Sequence, residues 1–212
     1  MTTTRQPPTT APTTAPTTAP TTGRVPARLV VLAGPTAVGK GTLAAYVRTH
    51  FPQILLSVSM TTRRPRPGEV EGVHYHFVDD AEFDRLVGAG AFLEHAVVHG
   101  AAKYGTPRGP VERALAAGRP ALLEIDLQGA RQVRETMPGA LFVFLQPPSW
   151  DELVRRLVGR GTESPEEREV RLSTARRELA AAAEFDVAIV NDDVRRASEE
   201  LVSLMRSRPR DT

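Results

Sequence analysis

Cysteine is absent from this chain of 212 residues. Its absence excludes a disulfide framework, a thiolate nucleophile and a cysteine metal site, and it fits a reducing compartment. Long apolar runs are also missing: none approaches the roughly 20 residues that cross a bilayer, and the N-terminus lacks the apolar segment of a secretory signal. We therefore expect a cytoplasmic protein with no membrane-spanning helix.

An excess of charge of one sign is lacking too, because 27 cationic side chains face 25 acidic ones. The resulting net charge of +2 is not the electrostatic footprint of a nucleic-acid-binding protein, so we expect no nucleic-acid partner. Lysine is scarce, since Lys40 and Lys103 are the only lysines among many arginines. A hydrophobic content of 41% predicts one substantial core.

Residues 1–26 differ in composition from the rest of the chain. Ala-Pro-Thr-Thr occurs three times between Ala11 and Thr22, with almost no large apolar side chain. This composition predicts a disordered, partly polyproline-like tail. Such tracts carry O-linked sugars in some exported proteins, but nothing else in the sequence indicates export, which favours a spacer.

From Ala27 onward, short apolar runs alternate with helical patterns. The runs are continuously apolar, which is typical of strands buried on both faces of a parallel sheet. Strands are predicted over 29–33, 54–58, 121–125, 141–145 and 187–190, and helices over 40–49, 110–117, 128–136, 149–158, 165–183 and 194–206. The pattern predicts a doubly wound α/β core, which binds ligands at the carboxyl ends of its strands.

One region interrupts this alternation, between Ser59 and Arg108. It is polar, punctuated by glycine and proline, and locally two-periodic over Val73–Val78, which predicts a small inserted lobe with antiparallel strands. His74 and His76 could share a strand face there. Without further ligands in the pattern, we interpret them as strand residues and not as a metal site.

A glycine-rich turn ending in a lysine directly follows the first apolar run. Its glycines let backbone amides point inward, the next helix adds its positive N-terminus, and Lys40 can span two phosphates of a nucleoside triphosphate. The alternative is a plain turn between a strand and a helix. Gly41 replaces the usual hydroxyl after the lysine, so Thr42, one place later, is a candidate Mg²⁺ ligand directly or through water. The predicted ATP-binding residues are Gly34, Pro35, Thr36, Ala37, Val38, Gly39, Lys40, Gly41 and Thr42.

Three arginines lie within four positions at Arg63, Arg64 and Arg66. Arginine makes bidentate, permanently charged contacts to a phosphate monoester, and the intervening Pro65 stiffens the turn that presents them. The alternative is a solvated basic loop.

The segment Ser57–Phe77 resembles the GMP-binding segment of the guanylate kinase family, bacterial type. Further motifs follow in the family's order, so that the resemblance covers residues 28–206: Gly34–Thr42, Tyr104–Pro107, Leu123–Gly129, Pro147–Trp150, Arg160–Glu163 and Val190–Asp193. The resemblance implies a P-loop nucleoside monophosphate kinase-like fold. It also implies ATP-dependent, Mg²⁺-assisted phosphorylation of GMP, and of dGMP, in purine nucleotide metabolism.

The resemblance also implies a division of the chain after the tail. Residues 27–208 would form the kinase domain, with its core at 27–58, 109–150 and 184–208, a mixed α/β GMP-binding lobe at 59–108 and a helical lid at 151–183. The rival interpretation of the lid segment is an amphipathic surface helix with Arg–Glu pairs.

The implied substrate contacts fall on seven residues of the lobe and on Asp126. Arg63 and Arg66 would grip the GMP phosphate with Tyr75 and Tyr104, Glu94 would accept two adjacent donors of guanine, and Ser59 and Thr106 would contact the remaining base edge. Asp126 ends an apolar strand, where it can organise Mg²⁺ through water, and by resemblance it helps to position GMP. For catalysis the resemblance implies Lys40, Arg156, Arg160 and Arg171, and for adenine Asn191.

The chain departs from the family just before Tyr104. Ala-Ala-Lys103 stands where the family has Asn-Tyr, so the loop is one residue longer. Two alternatives to guanylate kinase activity remain. One is another nucleoside or sugar phosphate kinase on the same scaffold, and the other is a catalytically silent module that binds proteins. Ser59, Arg63, Arg66, Tyr75 and Glu94 disfavour the first, and the intact Lys40 loop disfavours the second.

Overall fold

The computed structural model of the chain describes residues 27–98, 102–158 and 164–207. The predicted tail and Arg160 lie outside the described residues. The helices and strands, in chain order, are β1 (Leu29–Ala33), α1 (Lys40–His50), β2 (Leu55–Leu56), β3 (Met60–Thr61), β4 (His76–Phe77), α2 (Asp80–Gly88), β5 (Phe92–Val98), β6 (Ala102–Pro107), α3 (Arg108–Ala116), β7 (Ala121–Glu124), α4 (Leu127–Thr136), β8 (Leu141–Gln146), α5 (Trp150–Val158), α6 (Pro165–Ala180), β9 (Val187–Val190) and α7 (Val194–Arg206).

Five strands form a parallel sheet in the order β2-β7-β1-β8-β9. All of β1 is buried, and its alternate residues enter two different cores: Val30 and Leu32 pack on one side, and Leu29, Val31 and Ala33 on the other. Burial on both faces explains the continuously apolar runs. The predicted doubly wound α/β core is confirmed.

The predicted strand over 54–58 is wrong in extent, because β2 covers only Leu55–Leu56, with one further backbone hydrogen bond from Ser57 to Leu122. β2 lies at the edge of the sheet and has a single neighbour, β7. The apolar pattern reports burial, whereas strand length depends on backbone pairing. The predicted helix over 165–183 differs as well, because α6 ends at Ala180 and a 3₁₀ helix follows over Ala181–Glu184.

A second sheet of four strands, in the order β4-β3-β6-β5, is built from the predicted insertion. β6 pairs antiparallel with β5 and β3, as predicted, but β3 and β4 are parallel. The predicted strand over Val73–Val78 is wrong in extent, because only His76–Phe77 is strand. A turn precedes it, in which Gly72, with φ of 72°, donates a hydrogen bond to the Tyr75 carbonyl at 2.8 Å.

Helix α2 of this region is absent from the sequence predictions. Asp79 caps its N-terminus by accepting a hydrogen bond from the Glu82 amide at 2.8 Å. An aspartate followed three residues later by a glutamate is a common helix-start pattern, so the signal was available. None of the helices in the described part combines the length and apolarity that a bilayer crossing requires.

Candidate functional site

Two close approaches fix the loop between β1 and α1. Gly39 has φ of 100°, a left-handed conformation that favours glycine, and a Cβ there would lie 2.6 Å from Asn191 Nδ2. A Cβ on Gly34 would collide with the Leu145 carbonyl oxygen. Both predicted glycines are therefore required by the packing of the loop against β8 and β9, and Lys40 then begins α1.

Lys40 folds back over this loop. Its Nζ donates hydrogen bonds to the carbonyl oxygens of Gly34 at 2.7 Å and Pro35 at 3.3 Å. Burial lowers the pKa of Lys40, and the negative charge of nearby carboxylates acts in the opposite direction; these belong to Glu124, Glu178 and Asp126. The ammonium group lies where bound phosphate would supply a stronger partner.

Asn191 and Arg156 both hold the Val38 carbonyl of the loop. Asn191 Nδ2 donates to it at 2.8 Å, and Arg156 Nη1 donates to it at 3.1 Å. Arg156 is itself oriented by Glu152, whose Oε1 accepts from Nε at 3.0 Å. The resemblance implied an adenine contact for Asn191, and the structure additionally gives its buried side chain a role in shaping the loop.

A carboxylate from α6 reaches the same loop. The backbone amide of Thr36 donates a hydrogen bond to Glu178 Oε2 at 2.9 Å. Amides of such loops are phosphate donors, so a bound triphosphate would compete with Glu178 for this group. Arg171 lies on the same helix, and Thr42 lies exposed in the first turn of α1.

A cavity of about 320 Å³ opens beside Lys40, between the carboxyl ends of the core strands and the second sheet. Six of the predicted site residues meet there, together with three residues that sequence reasoning did not select. The lining residues are Lys40, Ser59, Tyr75, Glu94, Ala96, Tyr104, Glu124, Ile125 and Asp126. Residues from both predicted substrate sites thus face a single space.

Glu94 is the most deeply buried acid of this cavity, with 7% of its surface exposed. Its Oε1 accepts a hydrogen bond from Thr106 Oγ1 at 2.6 Å. Burial raises the pKa of Glu94, the charge of Asp126 adds to the rise, and the Thr106 hydrogen bonds oppose it. Space around the carboxylate is tight, because a Cβ on Gly129 would lie 3.0 Å from Glu94 Oε2.

The arginine cluster contains a carboxylate that sequence reasoning missed. Glu69 accepts two hydrogen bonds from the Arg63 guanidinium, at 2.9 and 2.8 Å, and one from the Arg66 amide at 2.7 Å. Gly68, with φ of 85°, turns the chain so that Glu69 folds back. These contacts lower the pKa of Glu69 to about 2. Arg63 Nε also donates to the Tyr104 hydroxyl at 3.1 Å.

The β5–β6 pairing extends to Val98 and Ala102, on either side of residues 99–101, which lie outside the described residues. Tyr104 stands opposite Ala96, and Thr106 stands opposite Glu94. Lys103 anchors β6 by ion pairs to Asp80 and Asp84 of α2. Tyr104 therefore lines the cavity despite the departure in sequence, and Thr106, which is fully buried, lies behind it and contacts Glu94.

Glu124 is a second acid that sequence reasoning missed. It ends β7, and burial raises its pKa, while the charges of Lys40 and Arg48 oppose the rise. The available signal was an acid at the carboxyl end of an otherwise apolar strand. The prediction that both histidines are strand residues is wrong for His74, which lies in the turn before β4 and accepts a hydrogen bond from the Val70 amide. It is confirmed for His76, which is in β4 and pairs with Glu71. Within the described ranges no group of three or more acidic or histidine side chains forms a metal site.

A glycine loop with its lysine at the carboxyl edge of a parallel sheet, beside a cavity with three acidic side chains, defines a P-loop nucleotide-binding protein. The family model for guanylate kinase matches residues 26–208. The chain belongs to the guanylate kinase family.

Close relatives agree with this assignment. The guanylate kinase of Leifsonia xyli subsp. xyli is 65% identical over 181 residues, which is 85% of this chain and 71% of the relative. That of Thermobifida fusca is 61% identical, over 85% of this chain and 91% of the relative. The crystal structure of guanylate kinase from Anaplasma phagocytophilum matches with a TM-score of 0.67 at 34% identity, covering 86% of each chain.

The support of the loop by Asn191 is open to a direct test. Asn191→Ala should lower the free energy of unfolding by about 1–2 kcal/mol, because the buried Val38 carbonyl loses its shorter hydrogen bond. Urea unfolding measures this change, and calorimetry should show weaker ATP binding in parallel. Asp192→Ala is the control, since that exposed carboxylate pairs with Arg196 at the surface. Equal losses of stability in both variants would contradict the loop-support role.

Proposed function

We propose that this chain transfers the γ-phosphoryl group of ATP directly to GMP, and also to dGMP, with the residues of the cavity in the roles given below. The observation that carries the assignment is the shared cavity. A phosphate-loop lysine, a buried carboxylate and two tyrosines beside an arginine cluster converge on one space. Direct transfer needs donor and acceptor phosphates in line and shielded from water, which such a space supports.

Glu94 would select guanine. Guanine presents its ring imino group and its exocyclic amino group as adjacent donors, and a single carboxylate can accept from both. Thr106 already donates to Oε1 at 2.6 Å, which orients the carboxylate toward the cavity. Ser59 and Thr106 would contact the remaining edge of the base.

Arg63, Arg66, Tyr75 and Tyr104 would bind the GMP phosphate. Among the described residues, contacts of Arg63 with Tyr104, Arg64 and Glu69 use four of the five N–H groups that a guanidinium carries. Arg63 would therefore offer one N–H in a fixed direction, and the tyrosine hydroxyls and Arg66 would supply the other contacts.

The transferring phosphate would be held by Lys40 and the loop amides. Arg156, Arg160 and Arg171 would close over the triphosphate from the proposed lid at 151–183, as the proposed lobe at 59–108 closes on GMP. Mg²⁺, when bound, neutralises phosphate charge. It commonly takes one or two carboxylates plus phosphate oxygens, a donor set that Asp126 and Glu124 would fit beside Lys40. Thr42, exposed in the first turn of α1, would be a further ligand.

The activity is tested by ADP formation from ATP and Mg²⁺ with GMP, AMP, UMP, CMP or no acceptor. We expect turnover with GMP well above that with the other acceptors. GMP binding without turnover would favour the silent protein-binding module, and selective turnover of another acceptor would overturn the guanine assignment.

Lys40→Met should lower kcat by about 10²–10³-fold, because it removes a charge that stabilises the transferring phosphoryl group. GMP binding, measured by calorimetry, should be retained. Lys103→Met is a matched control, since Lys103 is the other lysine of the chain and pairs with Asp80 and Asp84. Wild-type kcat in Lys40→Met would exclude the proposed role.

Glu94→Gln should raise KM for GMP by about 10–100-fold, because an amide meets the two guanine donors with one acceptor and one donor. The GMP-to-AMP ratio of kcat/KM should fall accordingly. Glu112→Gln, on the exposed surface of α3, serves as the control. An unchanged ratio would rule out Glu94 as the guanine reader.

The raised pKa of Glu94 predicts a pH dependence of base selection. Only the carboxylate form accepts from both guanine donors, so the preference for GMP over IMP should decline as pH falls toward this pKa. The decline should begin above the ordinary glutamate pKa of 4.5. Both nucleotides carry the same phosphate, so its titration cancels in the ratio of their dissociation constants.

Thr106→Val should move this decline to higher pH, because it removes a hydrogen bond that lowers the Glu94 pKa. Circular dichroism over the same pH range would establish that the protein stays folded. A preference that stays constant down to pH near 4.5, or a shift to lower pH in the variant, would be the contrary result.

A further inference from the structure

The outer edge of β5 is covered by a side chain of α4. β5 is an edge strand of the second sheet. Gln132 accepts a hydrogen bond from the His95 amide through Oε1 at 3.0 Å, and its Nε2 donates to the His95 carbonyl at 3.0 Å. The carboxamide thus pairs with the strand as a peptide group of a neighbouring strand would.

Two further positions of α4 contact the adjacent residues of β5. Thr136 Oγ1 lies 3.1 Å from the Leu93 carbonyl oxygen, the nearest of three carbonyl acceptors for its single proton; the other two belong to its own helix, at Gln132 and Val133. Gly129 lies so close to Glu94 that a Cβ would stand 3.0 Å from its Oε2. Positions 129, 132 and 136 lie on one side of a helix, and together we call them the α4 face. Three consecutive residues of β5 therefore rest against one helix face.

The α4 face belongs to the core and not to the second sheet. α4 begins directly after β7, and Asp126 caps it by accepting from the Gly129 amide at 2.8 Å. Ala130 and Val133 of the same helix are buried in the hydrophobic core with β1 and β7. The contacts of β5 with α4 therefore fix Glu94 relative to the cavity residues that follow β7.

We propose that Gln132 is a positioning residue for base selection, because its paired hydrogen bonds hold the backbone next to Glu94 and so aim the carboxylate. The inference rests on the proposed role of Glu94. Backbone direction sets side-chain direction in a strand, and an edge strand without a partner has one free side. A carboxylate that must meet two donors at once tolerates less displacement than one that meets a single donor.

Gln132→Met tests the proposal, because methionine keeps the side-chain length and removes both hydrogen bonds. kcat/KM should be measured for GMP and for IMP, which lacks the exocyclic amino group. We expect the GMP-to-IMP ratio to fall by about 5–10-fold, with KM for ATP unchanged. Glu135→Met is the matched control, since Glu135 is exposed on the same helix.

Thr136→Val gives an independent variant with little change in shape. It removes the hydrogen bond to Leu93 and should lower the ratio in the same direction by a smaller factor. Thermal unfolding of each variant would show whether the protein stays folded. A merely structural role of these residues would reduce turnover of GMP and of IMP equally, whereas a positioning role lowers the GMP-to-IMP ratio. A GMP-to-IMP ratio of kcat/KM that is unchanged in both variants, whether or not turnover itself falls, would overturn the proposal.

The outcome can be separated from failure of the proposed function. If Glu94→Gln abolishes guanine preference and Gln132→Met leaves it intact, Glu94 reads the base without help from α4. If Glu94→Gln leaves the preference intact, the proposed role of Glu94 is wrong, and the positioning role of Gln132 is overturned with it.

Discussion

The close packing of a glycine loop against neighbouring strands is the constraint on which the site depends. Gly34 meets the Leu145 carbonyl and Gly39 meets Asn191, so neither position has room for a side chain. This contact places Lys40 at the carboxyl edge of the sheet, at the start of a helix whose N-terminus favours anions. Lys40 thereby lines the cavity together with Glu94 and Asp126, so the geometry of any transfer depends on where this lysine stands.

Three ionisable groups that line the cavity are buried or half-buried, and burial disfavours the charged form of each. It lowers the pKa of Lys40 and raises those of Glu94 and Glu124. Ligands would relieve these costs differently: phosphate would supply a partner for Lys40, and guanine donors would supply one for Glu94. Nucleotides bound as proposed would therefore offset part of the cost of burying these charges.

Much of the core could be predicted from the sequence, because a parallel sheet covered on both faces leaves continuous apolar runs such as Leu29–Ala33. The second sheet is harder to predict from the sequence. β4 has two residues, and its pairing depends on the turn at Gly72 and not on periodicity. Glu69 was not predicted because its contacts with Arg63 and Arg66, although close in sequence, depend on the turn at Gly68. Glu124 was not predicted because it interacts with Lys40 and Arg48, which are far away in the chain. Gln132 likewise acts on a strand 37 positions away in the chain.

The pairing of Arg63 with Glu69 limits how Arg63 could bind the GMP phosphate in the proposed site. A free arginine could meet a phosphate with two N–H groups, but here both guanidinium nitrogens that form such a fork already face Glu69. Arg63 would therefore make a weaker contact with a phosphate than a free arginine would. Its side chain is already ordered by Glu69, so less conformational entropy would be lost on binding. The adjacent Tyr104 hydroxyl, which accepts from Nε, is oriented by the same contact. In the proposed phosphate site, Glu69 would therefore fix the geometry of Arg63, although its negative charge would repel the phosphate.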